Sequence, residues 1–210
     1  MAHITTVNLS NDKWNETDAG LIAVGVFEDK SFTPMAEEIN TASDGAFSQA
    51  VEIGDVKGKS GESHTFYLEG KRVLLLGLGK KDKYNAMSVR VAAGKASRSA
   101  IEKKVDTVAV ECLCIDCKHC QAVGEGLVLG SYQFLDYKTK GKNNFELKSA
   151  TVLGCTKEDI TKGAAIANAV CLARDLGNHP GNVTTPSRLA EVAKEIADEG
   201  GMNLTVFDRE

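Results

Sequence analysis

Over residues 3–153 the hydrophobic period of this chain switches repeatedly between that of a strand and that of a helix, and no other feature narrows the possible folds as far. Residues 3–9 and 20–27 read as strands separated by a polar turn around Asn11-Asp12. Residues 34–54 read as two helical pieces, with Ala42-Ser-Asp-Gly45 as the break. His64–Leu68 and Val73–Leu76 flank Glu69-Gly70, the signature of a hairpin. Arg72–Gly79 is an apolar run that ends in glycines, and residues 86–104 follow as a helix with Val89, Ala92, Ala93, Ala96 and Ala100 on one face. Asp106–Glu111 alternates as a strand, residues 117–133 are helical again, and Leu147–Leu153 is a further strand. Strands alternating with helices predict an α/β layer architecture with helices on both faces of the sheet. The hairpin predicts a mixed rather than wholly parallel sheet.

The last fifty or so residues carry a second pattern. Ile160, Ala164, Ala167 and Cys171 recur at helical spacing, and Gly163–Ala165 with Ala167 would let another backbone approach closely. Gly177 is expected to stop this helix, with Pro180 beyond it. Thr185 is the expected N-cap and Pro186 the first residue of another helix. Leu189, Val192, Ala193 and Ile196 form its apolar face, and Gly200-Gly201 ends it. Met202, Leu204 and Val206 alternate with Asn203 and Thr205, which predicts a strand.

The chain has 210 residues, 42% hydrophobic and 26% charged, enough for one domain or one domain with part of another. A net charge of -4 gives no global attraction to nucleic acid or an anionic membrane. Residues 1–18 are polar, without the apolar core of a secretion signal, and Leu21–Phe27 is far too short to span a bilayer. A cytoplasmic setting is therefore expected, with the six cysteines as thiols.

Ala173-Arg-Asp-Leu-Gly-Asn-His-Pro-Gly-Asn182, then Thr185-Pro186 and Leu189-Ala190, resembles the hinge of the leucyl (cytosol) aminopeptidases. There the segment usually reads Ala-Arg-Asp-Leu-x-Asn-Glu-Pro-Pro-Asn; this chain departs at His179 and Gly181. Val73-Leu-Leu-Leu-Gly-Leu-Gly79 and Gly130-Ser-Tyr-Gln-Phe-Leu-Asp-Tyr-Lys-Thr139 resemble the N-terminal domain of the same peptidases. The resemblance implies a macrodomain-like mixed sheet sandwiched between helices over residues 1–156, and a linker helix over 157–177. It implies that residues 178–210 are a hinge loop with the first helix and strand of a truncated peptidase domain. It also implies a full-length enzyme that uses two divalent metal ions, zinc or manganese, to remove N-terminal amino acids, leucine preferred, as a homohexamer. In that family the metal ligands sit in Gly-Lys-Gly-x-x-Phe-Asp-x-Gly-Gly and Asn-Thr-Asp-Ala-Glu-Gly-Arg segments. Neither string occurs in residues 1–210. The chain alone is therefore expected to be inactive and to need the missing catalytic domain as its partner.

No catalytic, metal or ligand-binding residue is assigned from the sequence, although four features invite one. Gly77-Leu-Gly-Lys80 sits between a strand and a helix, as phosphate loops do, but Asp82 stands where the dinucleotide fingerprint needs its third glycine. A structural turn is the expected role. Cys112, Cys114, Cys117 and Cys120, beside His119, could offer thiolates to zinc or an iron–sulfur cluster. Structural zinc sites usually need two separated knuckles, and this stretch supplies one, so thiols without metal are expected. Lys138, Lys140, Lys142 and Lys148 could contact phosphates, and Tyr132 or Phe134 could stack on bases; the resemblance adds that some bacterial relatives bind DNA, partly through this domain. The acidic net charge favours a solvated loop instead. His179 lies in the hinge without a nucleophile–base companion, and His3 and His64 sit in or beside strands. The competing function is a nucleic-acid or ADP-ribose binding module that works without peptidase activity.

Overall fold

Backbone hydrogen bonding joins β1 (Val7–Ser10), β2 (Leu21–Val26), β3 (Ser63–Leu68), β4 (Lys71–Gly77), β5 (Thr107–Glu111) and β6 (Ser149–Leu153) into one sheet, ordered β1-β6-β5-β2-β4-β3. The structure is a computed structural model that describes residues 3–113, 118–140, 145–155 and 158–207. All neighbours are parallel except β3, which pairs antiparallel with β4 at one edge. Glu69 and Gly70 both take positive φ, 48° and 76°, as a two-residue hairpin turn of the primed kind requires.

The helices are α1 (Pro34–Ala42), α2 (Ala46–Glu52), α3 (Ala86–Glu102), α4 (Cys120–Ser131), α5 (Glu158–Asn178) and α6 (Pro186–Gly200). Alternation along the strands divides the core in two. Leu21, Ala23, Leu74, Leu76, Val108, Val110 and Val152 face α3, α4 and the first turns of α5. Ile22, Val24, Val26, Val73 and Leu75 face Ala36 and Ile39 of α1, Phe47 and Val51 of α2, and Trp14. Helices on both faces of a mixed sheet are what the hydrophobic periods predicted.

Glycines set how closely the first of these helix layers packs. A Cβ on Gly126 would stand 2.4 Å from the carbonyl oxygen of Arg90, and one on Gly130 would stand 2.3 Å from that of Gly94. On the other side of α4, a Cβ on Gly124 would lie 2.0 Å from the Ile160 carbonyl oxygen, and one on Gly163 2.0 Å from that of Gln121. The backbone of α4 therefore touches those of α3 and α5, as the small residues around Gly163 predicted. The Ser97 hydroxyl adds a 2.8 Å hydrogen bond to the Leu127 carbonyl across the α3–α4 contact.

The chain divides into two compact units, Met1–Cys171 and Leu172–Glu210, so the division falls inside α5. Ile160, Ala164, Ala167 and Cys171, the face predicted for this helix, belong to the core of the first unit. The helix also runs one residue past Gly177, to Asn178. In the second unit the Thr185 hydroxyl accepts the Arg188 N–H at 3.2 Å, Pro186 opens α6, and Gly201 closes it with φ 61°. The predicted strand at Met202–Val206 does not form. Residues 202–207 lie outside every strand, because a strand period is realised only where another strand offers a ladder, and none of the described residues does so here.

Replacing Gly124 by alanine forces a Cβ into backbone that cannot yield, so Gly124→Ala is expected to lower stability in urea denaturation by about 2 kcal/mol or more. At Gly177 a Cβ meets nothing within 4 Å, so Gly177→Ala is expected to raise helicity instead, by about 0.5–1 kcal/mol at that position. Equal effects at the two sites would contradict the packing described.

Candidate functional site

In an open α/β sheet the usual ligand site lies beyond the carboxyl ends of the strands, where neighbouring strands send their chains to opposite faces. Here β2 leads to α1 on one face, and its parallel neighbour β5 leads to α4 on the other. A side chain of the protein stands at that switch point. Glu111, the last residue of β5, is 5% exposed. One of its oxygens accepts the Met35 N–H at the start of α1 at 2.8 Å, and the other meets the Thr33 hydroxyl. Thr33 is tied in turn to Gly25, accepting its N–H at 3.0 Å and facing its carbonyl at 3.1 Å.

Burial pushes the Glu111 carboxyl up to about 7, against the hydrogen bonds from Thr33 and Met35, which pull the other way; Glu38 adds a small upward push. When protonated, Glu111 can donate to the Thr33 oxygen and release the threonine proton to the Gly25 carbonyl, so every member of the network is satisfied. The arrangement leaves the Met35 N–H with no capacity for an incoming phosphate, and an ionised Glu111 would repel one. Sequence reasoning missed Glu111 because a carboxylate closing a strand reads as a solvent-facing end.

The loop after β4 is likewise spoken for. The N–H groups of Gly77, Leu78 and Gly79 donate to the carbonyls of Glu62, Val26 and Gly58 at 2.9, 2.8 and 2.8 Å. A Cβ on Gly77 would lie 2.1 Å from the Lys59 carbonyl oxygen, so the glycine serves close backbone approach. Gly77–Lys80 is a structural turn, with none of those donors left for a phosphate.

Among the described residues the basic loop assembles no stacking platform. Lys148 pairs with Asp106 at 2.9 Å, Tyr132 packs on the core, and Phe134 and Tyr137 stand 5.8 Å apart as a tilted pair. Lys138 and Lys140 are exposed, and Lys142 lies outside the described residues. His3 is 3.2 Å from the Asn168 side-chain oxygen, His64 sits on β3 opposite Leu75, and the His179 N–H donates to the Asp175 carbonyl at 3.0 Å. No nucleophile–base pair forms around any of them among the described residues.

The cysteines end up differently from their sequence spacing. Cys112 follows β5 and Cys120 is the first residue of α4. Cys155, outside the sequence cluster, lies just past β6, and the sulfurs of Cys112, Cys120 and Cys155 all lie within 4.8 Å of one another. Cys114 and Cys117 are outside the described residues.

The Glu111 site makes a pH prediction. Between the ordinary value of 4.5 and about 7 the unfolded chain is ionised at this position while the folded chain is protonated. Its contribution therefore makes stability fall as pH rises through that window and stay level above it. Glu111→Gln keeps an acceptor for Met35 and a donor for Thr33, and it should remove that slope, on the order of 3 kcal/mol across the window. Urea denaturation at both ends of the window checks this; parallel pH profiles for the two proteins would contradict it.

A sequence model described as the cytosol aminopeptidase family, N-terminal domain, matches residues 23–141. A probable cytosol aminopeptidase of Alkaliphilus metalliredigens is 31% identical over 220 residues, 95% of this chain and 44% of the relative. One from Roseiflexus castenholzii is 33% identical over 207 residues, 91% of this chain and 40% of the relative. A mutant of tomato leucine aminopeptidase superposes with a TM-score of 0.75 at 27% identity, over 92% of this chain and 42% of that one. The bottromycin maturation enzyme BotP in complex with Mn gives 0.71 at 26%, over 91% and 39%. The chain thus spans less than half the length of these curated relatives. The similarity, the mixed sheet with helices on both faces, and the hinge sequence agree, and the chain belongs to the cytosol aminopeptidase family, whose N-terminal domain it contains.

Proposed function

We propose that residues 1–210 are the non-catalytic N-terminal part of a cytoplasmic leucyl aminopeptidase. Residues 1–156 are its macrodomain-like domain, 157–177 its linker helix and 178–210 the hinge and opening of its peptidase domain. The observation that carries this is the coverage: similarity runs over 95% of this chain but reaches only 44% of the relative. Neither metal-ligand string of the family occurs in residues 1–210, and on this reading both would lie in the remainder. In the full-length enzyme two divalent ions, zinc or manganese, would polarise the scissile carbonyl and supply the hydroxide that releases an N-terminal leucine. The homohexamer belongs to the same proposal.

The second unit supports this reading. Leu189 and Ile196 on α6 are 47% and 44% exposed, and Met202, Leu204, Val206 and Phe207 are exposed as well. Leu204, Val206 and Phe207 line a groove with Pro186 and Ala190 of α6. An amphipathic helix followed by an extended apolar stretch is what the first elements of an α/β peptidase domain present before the rest of its sheet is added. No helix among the described residues is long and apolar enough to cross a membrane.

Residues 1–210 are expected to release no leucine from a leucyl anilide, with or without added manganese or zinc. Metal-dependent release above a metal-only blank would overturn the non-catalytic assignment. In an extract of the source cells, an antibody to residues 1–155 should detect a polypeptide more than twice the size of this chain, and the precipitate should hydrolyse the anilide. A polypeptide of this chain's own size that shifts duplex DNA or binds ADP-ribose would favour the binding-module reading.

Hydrogen exchange on dilute protein should find residues 186–206 fast beside protected β4 and β5, since Leu189 and Ile196 of α6 are exposed and residues 202–207 join no strand among the described residues. Slow exchange throughout 186–206 in a demonstrated monomer would contradict this.

A further inference from the structure

We propose that Cys112, Cys120 and Cys155 form a binding site for one thiophilic cation, with Zn²⁺ as its ion. The three sulfurs come from three elements that the sequence does not bring together. Cys112 and Cys155 follow the carboxyl ends of the adjacent parallel strands β5 and β6, and Cys120 opens α4, the helix between those strands in sequence. All three sulfur atoms lie within 4.8 Å of one another. A zinc ion about 2.3 Å from each sulfur holds them about 3.8 Å apart in a tetrahedron. The closing movement is about an ångström per pair, within the range of side-chain torsions.

The backbone at each ligand is held. The Cys112 N–H donates to the Leu153 carbonyl at 3.1 Å, which links the first ligand to the strand that carries the third. Gly154, with φ 71°, turns the chain between β6 and Cys155, and its N–H donates to the Ser10 carbonyl at 2.9 Å. Cys120 is fixed by α4, whose backbone is wedged between α3 and α5. Such preorganisation is what a ligand set requires.

The chemistry selects a soft ion. Among the described residues the group is three sulfurs, a donor set that suits zinc or another thiophilic ion and not manganese, magnesium or calcium. Three thiolates around Zn²⁺ leave a net charge of about −1 at the N-terminal end of α4, where the helix dipole favours negative charge. Cys120 and Cys155 are 2% and 7% exposed while Cys112 is half-buried. The single-knuckle objection from sequence loses its force because Cys155 supplies a ligand from a second segment.

The test uses the 210-residue chain, purified reduced and stripped with a chelator, then titrated with Zn²⁺ against a chromophoric competitor and with Co²⁺ in the spectrometer. One ion per chain is expected, and cobalt should show thiolate charge-transfer and tetrahedral visible bands. Cys112→Ser, Cys120→Ser and Cys155→Ser should each weaken zinc binding at least tenfold, with Cys171→Ser as the unaffected control. Alkylation followed by peptide mass analysis needs no variant: zinc should slow modification of Cys112, Cys120 and Cys155 together and leave Cys171 unchanged. Cobalt without a charge-transfer band, alkylation rates at the three sites unaffected by zinc, or a folded Cys155→Ser variant that binds like the parent would each overturn the site.

Discussion

The contact of α4 with its two neighbours fixes more of this structure than any other. Gly126 and Gly130 bring it against the backbone of α3, and Gly124 and Gly163 bring it against that of α5. Three helices in backbone contact form a layer thin enough for Val123, Leu127 and Val128 to reach the same core as Val108, Val110 and Val152 of the sheet. Because α4 lies between β5 and β6 in sequence, fixing it also fixes where their carboxyl ends stand relative to its first residue. The Cys112–Cys120–Cys155 convergence follows from that constraint. Interiors packed at crystal-like density transmit such displacements and do not absorb them, so a shift of α4 would separate the three sulfurs.

The same end of the sheet shows how the donors of a ligand-binding architecture can be used internally. At the β2–β5 switch point, α1 points its first N–H groups where many α/β proteins hold a phosphate. Here Glu111 accepts the Met35 N–H, and Thr33 closes the network through Gly25. The loop after β4 is closed in the same way by Glu62, Val26 and Gly58. Neither closure needs a bulky plug, because hydrogen bonds made internally remove the donors an anion would use.

Much of this fold was legible because its signals are local. The alanine face of α3, the Glu69-Gly70 turn, and the Thr185, Pro186 and Gly201 punctuation of α6 each depend on a few neighbouring residues. What escaped depends on partners distant in sequence. Cys155 meets Cys112 only through the parallel register that sets Glu111 opposite Leu153, which no spacing rule reveals. Glu111 hid at the end of an ordinary strand pattern, since its burial is decided by α1, more than sixty residues earlier. The alternation at Met202–Val206 misled for the converse reason: the local signal was present and the partner strand was not.

That last case separates two ways of stabilising secondary structure in one chain. The strands of the first unit exist because a sheet and two helix layers bury them. Helix α6 relies on end signals and on one cation shared between turns: Arg188 is 3.0 Å from both Glu191 and Glu195. An N-cap contributes about 1 kcal/mol and each exposed ion pair a few tenths, so local terms can bias fifteen residues toward helix without completing a core. Val192 and Ala197 are buried within that helix while Leu189 and Ile196 are not. An apolar stripe half covered in this way belongs to a helix specified by its end signals and charge pairs more than by its burial.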